Sequence, residues 1–157
     1  MRFIALVLML IPFTVSAAGA AEQAIPFKTV ATGNASGIRT ESQVVIRTSS
    51  AWRALWQKHA AGQPRSAMPV VDFSRDMVVA VFAGEVSQFT RVSILRVSRE
   101  TKRLSVLVGI AEFQPGPVPT EPGTATPFHI IRLARSSVPV VFVQAQVPEK
   151  NLYQPGR

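Results

Sequence analysis

The segment Met77–Gly84, MVVAVFAG, constrains the fold more than any other stretch of the chain. It has no charged or polar side chain, so a strand built from it has no face to give to water. Such a strand must be central and covered on both sides, which requires a layered architecture. Its surroundings are also strand-rich. Gln43–Arg47 (QVVIR) is the first clear strand, and Arg91–Ser98 with Leu104–Val108 predicts a hairpin around the polar Arg99–Arg103 turn. Phe128–Leu133 and Val140–Gln146 supply two more strands. Val70–Phe73 leads into the apolar run through Ser74–Asp76.

One helix interrupts this series, from Ser49 or Ser50 to about Ala60. Trp52, Leu55, Trp56 and His59 share one face, with Arg53, Gln57 and Lys58 opposite. Ser49 or Ser50 is suited to cap its start and Gly62 to end it, while Lys58 and His59 suit the negative end of the helix dipole. Strands and helices do not alternate, which argues against a doubly wound parallel sheet. The expected fold is α+β and β-rich: a mainly antiparallel sheet or sandwich with one amphipathic helix.

A chain of 157 residues accommodates one normal-sized domain. Residues 1–20 read as a secretory signal peptide, with Arg2, an apolar run from Phe3 to Val15, and small residues at Ala18 and Ala20 for cleavage. A membrane span would need roughly 20 apolar residues. Residues 21–35 are taken as an N-terminal arm ending in a turn around Gly33–Gly37, 36–147 as the single domain, and 148–157 as a frayed tail. Export implies a periplasmic or secreted protein, makes nucleic acid an unsuitable partner, and leaves no stable membrane insertion after cleavage. The five prolines of Gly109–Pro127 remove ladder donors, so that stretch is expected as a loop or polyproline segment.

Chemistry is sparse. There are no cysteines, which excludes disulfides, thiolate catalysis and thiolate zinc sites. The two histidines, His59 and His129, both sit in apolar patterns that favour structural roles. Gly33-Asn34-Ala35-Ser36-Gly37 places its serine wrongly for a nucleophile elbow. Asp72 and Asp76 bracket a strand entry, where carboxylates accept turn hydrogen bonds. Trp52 and Trp56 fit core packing better than a sugar-stacking platform. No metal-ligand spacing or phosphate loop occurs, so no cofactor is expected. The formal net charge of +8, dense at Arg91, Arg96, Arg99, Lys102 and Arg103, suits an acidic partner surface.

VIRTSSAWRALWQKH, MPVVDFSRDMVVAVFAGE and TATPFHIIRLARS together resemble the C-terminal domain of PrcB-type protease complex subunits. The resemblance spans about Ser36 to Val143, and its matching positions are Trp52, Trp56, Asp72, Phe73, Met77 and Gly84. It implies a non-catalytic envelope subunit that binds, and in the namesake stabilises, a secreted protease. Val86–Arg91 departs from that family's Gly-Gly-aromatic turn, which implies a different partner, and the absent lipid-bearing cysteine implies a soluble protein. The expected function is therefore an exported accessory protein, not an enzyme, that binds a protein partner such as a secreted protease. Arg91, Arg99, Lys102, Arg103, Pro115, Pro117 and Pro119 are its candidate contact residues. A protease inhibitor presenting the proline-rich loop, or a glycan-binding domain, is the alternative.

Overall fold

The computed structural model describes residues 22–61, 67–113, 121 and 123–152. Among them the chain forms β1 (Gln23–Ala24), β2 (Phe27–Gly33), β3 (Ser42–Ile46), α1 (Ser49–His59), β4 (Asp76–Phe82) and β5 (Val86–Ser87). It continues with β6 (Thr90–Arg99), β7 (Leu104–Glu112), β8 (Thr124–Ala125), β9 (Phe128–Ala134) and β10 (Val140–Gln146), then a 3-10 turn at Glu149–Asn151. One four-stranded sheet has the order β1-β6-β7-β10 and a second the order β2-β9-β4-β3, while β5 and β8 form a small ribbon. The protein is a β-rich α+β fold, mainly antiparallel, with one α-helix among the described residues.

β4 shows why its sequence has no polar side. Met77, Val79 and Val81 pack between the two sheets with Ile94, Val97, Val106 and Ile131. Val78, Ala80 and Phe82 point the other way and, with Phe128 and Ile130, meet Trp52 and Trp56 of α1. Two apolar layers therefore share one strand, and the order of layers is sheet, sheet, helix.

Thr48, rather than Ser49 or Ser50, caps the helix, accepting a hydrogen bond from Ala51 N at 3.3 Å. Ser49 has already entered the first turn. Ala60 ends the helix, and Gly62 lies outside the described residues. The 34–38 turn is clamped against this C-terminus, with Gly37 N donating to His59 O at 2.8 Å. A Cβ at Gly37 would collide with Lys58 O and come within 2.9 Å of Ala61 O. Gly37→Ala is therefore expected to cost about 1–3 kcal/mol, because the helix end must move. Chemical denaturation checks this, and an unchanged midpoint would contradict the clamp. At Gly84 the backbone itself demands glycine, with φ of 75°.

Several expectations need correction. The 21–35 arm is largely strand: β2 pairs along β9 from Phe27↔Leu133 to Gly33↔Phe128. Its half-exposed edge position explains its weak apolar pattern. The hairpin extends to Glu112, so Gly109–Glu112 is ladder rather than loop. Thr124–Ala125 is a short strand, while Pro115, Pro117 and Pro119 lie outside the described residues. β10 runs parallel to β7, because the chain visits the second sheet as β9 before returning to the first. The start of the tail is ordered, with Leu152 only 9% exposed. The expected signal peptide and residues 153–157 lie outside the described residues.

Candidate functional site

The β6–β7 hairpin carries the four candidate cations. Its strands pair from Thr90↔Glu112 to Arg99↔Leu104, with a bulge between Ile94 and Arg96. The turn closes through Glu100 N, which donates to Arg103 O at 2.9 Å, and through the Arg103 Nε bond to Glu100 Oε2 at 2.6 Å. Arg99 Nη2 approaches Ser136 Oγ at 3.4 Å. Lys102 is exposed. An open depression of about 620 Å³ lies against this tip, lined by Glu22, Glu100, Thr101, Lys102 and Arg103. The Arg103–Glu100 pair is itself half in water, so it fixes geometry more than it adds stability.

Further arginines reach the same end of the sandwich. Arg47 donates to Ser136 O at 2.8 Å and Val138 O at 3.1 Å, and Arg135 donates to Arg47 O and Phe73 O. These bonds tie down the β9–β10 connection while leaving both positive charges in place. At the opposite end Glu41, Glu85, Glu112 and Glu149 gather, with Arg39 paired to Glu85 at 2.6 Å.

Arg91 does not join the tip. It stands at the other end of β6, eight residue steps or about 26 Å from Arg99. There its Nη1 donates to Gln88 O and Thr90 O at 2.8 and 2.9 Å, and its guanidinium lies 4.6 Å from the Phe113 ring centroid. Phe89 meets Phe113 edge-on at 5.4 Å. Gln88 holds the far side of the proline-rich segment, donating its backbone N–H to Gly123 O at 3.0 Å and its Nε2 to Glu121 O at 2.7 Å. The candidate residues therefore divide into a basic tip and a separate proline-loop base.

Both imidazoles are engaged inside the fold. Ser36 Oγ lies 3.0 Å from His59 Nδ1 and accepts from Ile38 N at 3.1 Å. Thr126 Oγ1 accepts from Ser36 N and donates to Ser36 O. With the Phe128 ring 4.3 Å away, this buried cluster fastens the turn to the helix, and burial lowers the His59 pKa. His129 links the sheets. Its Nδ1 accepts from Ile94 N at 2.9 Å, so the ring proton resides on Nε2, which donates to Thr29 Oγ1 at 2.9 Å. Desolvation lowers its pKa to about 4.

The two aspartates serve separately. Asp72 Oδ1 accepts from Ser74 Oγ at 2.6 Å and Ser74 N at 3.0 Å, contacts that lower its pKa, whereas Asp76 faces Arg132 at 3.7 Å. Trp52 and Trp56 are 2% and 6% exposed, which removes them as a sugar platform. No group of three metal-ligating side chains occurs among the described residues, and no helix among them is long and apolar enough to cross a membrane.

Sequence reasoning missed Glu22, Glu100 and Thr101 as walls of the depression. Glu100 was within reach, since it stands three residues before Arg103 across a tight turn. Glu22 was not, because only the β1 register, Gln23↔Arg99, brings it there. Comparisons with protein-family models, with curated proteins and with solved structures returned no match to this chain.

Proposed function

We propose that this chain is an exported, non-catalytic accessory domain that docks its basic hairpin tip on the acidic surface of another envelope protein, a secreted protease being the favoured class. One observation carries the reading: Lys102 and Arg103 line an open depression at the hairpin tip together with Glu22, Glu100 and Thr101, and Arg99 ends the adjoining strand. Opposite charge accelerates encounter and fixes orientation, over a range of about 8 Å at physiological salt. The signal-peptide-like residues 1–20 and the resemblance to PrcB-type subunits support export and protein binding. The structural employment of His59, His129, Asp72 and Asp76 supports a non-catalytic role.

A second reading, a protease inhibitor, draws on the proline-loop base. Phe113 and Glu121 flank the proline-rich segment and are held by Arg91 and Gln88, so its stems are fixed before any docking. Changing Arg99, Lys102 and Arg103 together to Gln separates the two. The first reading expects association to slow by about tenfold with an unchanged thermal midpoint, since exposed turn charges contribute little to stability. The inhibitor reading expects the triple variant to bind normally, and a loop-shortened variant to dissociate faster.

A further inference from the structure

We propose that β10 is the pairing edge for a second copy of this chain, joined antiparallel about a two-fold axis at Val143. This goes beyond the hairpin-tip reading and uses a different surface. β10 is the last strand of its sheet among the described residues. Leu104 N donates to Pro139 O, and Val147 N donates to Ile110 O, both at 2.9 Å. In a parallel ladder this parity turns the backbone groups of odd residues toward β7 and those of Val140, Phe142, Gln144 and Gln146 toward the open side.

The other sheet edges carry protection. β1 has two residues, β2 has Lys28 and a bulge between Thr29 and Ala31, and β3 is bracketed by Glu41 and Arg47. β10, VVFVQAQ, has no charge, proline, glycine or bulge. Val141 and Val143 are 38% and 46% exposed on its outer side. An edge of this kind is a template for strand addition.

Charge selects the occupant. The start of β10 lies beside Arg47, Arg135 and the Arg103–Glu100 pair, a net positive set, and its end beside Glu41, Glu149 and Lys150, a net negative one. Antiparallel pairing of two copies sets the basic end of each against the acidic end of the other, whereas parallel pairing would set like against like. The net charge of +8 opposes approach in general, so the uncharged edge and its opposite-sign flanks make this one orientation favourable. Full overlap pairs Val140 with Gln146 and Phe142 with Gln144 of the second copy. Val143 then faces its own equivalent with Cβ atoms about 4.5–5.5 Å apart.

The absence of native cysteine makes the test direct. Val143→Cys should cross-link to a covalent dimer on oxidation, and Val70→Cys, at a 91% exposed position away from β10, should not. Sedimentation of wild type should show a dimer that weakens with salt. Val143→Lys, which places like charges on the axis, should raise the dissociation constant by about tenfold or more while leaving the fold intact by circular dichroism. A wild type that stays monomeric, leaving the edge to a strand of some other chain, would overturn the proposal. So would cross-linking at Val143 no better than at Val70, or a Val143→Lys protein that dimerises like wild type.

Discussion

Replacing Trp52 with Ala is expected to destabilise the domain by about 3–5 kcal/mol. The indole is 2% exposed, and its ring lies 5.2 Å from that of Trp56. Its Nε1 donates to Pro69 O at 3.0 Å, which fastens the segment after the helix to the helix itself. Removing the ring opens a cavity over Val78, Ala80 and Phe82, the face of β4 that α1 covers. A domain whose total stability is about 5–15 kcal/mol would lose a large share of it. Trp52→Phe should cost less, because most of the packing survives and the lost hydrogen bond is worth about 1 kcal/mol. Urea unfolding of the three proteins checks both the size and the order. A Trp52→Ala protein as stable as wild type would place the ring on the surface and revive a stacking role.

Acid should weaken the fold through His129. Its folded-state pKa is lowered from 6.5 to about 4, so the unfolded chain takes up the proton more readily. The stabilisation is fully present above pH 6.5 and is lost as pH falls toward 4. Over that window the loss reaches about 3 kcal/mol. The structural cause is specific: protonated Nδ1 could no longer accept from Ile94 N, and the bond between the sheets would break. His59 shifts in the same direction. Unfolding measured at intervals from pH 7 to pH 4 should therefore show stability falling with pH in wild type. In His129→Gln the same curve should be flatter, starting from a lower value at pH 7. A wild-type curve flat across this window would contradict the bridge.

The parts of the fold that were legible in the sequence are those where burial is complete. The MVVAVFAG run, the Trp52/Trp56 face and the 99–103 turn each follow from side chains that have one place to go. β2 was misread because an edge strand buries only part of itself, so KTVATG carries little periodic signal. The parallel β7–β10 pair was not legible, since no crossover helix announces it and the chain changes sheets between them. The candidate site was half visible. Charge density along the chain found Arg99, Lys102 and Arg103, but it also gathered Arg91, which a ten-residue strand carries to the other end. Ser36 and His59 are 23 residues apart and meet only because the 34–38 turn packs on the helix C-terminus.

We propose that the hairpin tip steers this domain onto an acidic protein. The most direct measurement is the association rate of its partner, isolated on wild-type protein from envelope extract, with wild type and with the Arg99→Gln, Lys102→Gln, Arg103→Gln variant over a series of salt concentrations. The wild-type rate should fall steeply with salt, the variant should start about tenfold lower, and the two should converge at high salt while dissociation changes little. Equal rates for the two proteins, indifferent to salt, would contradict it.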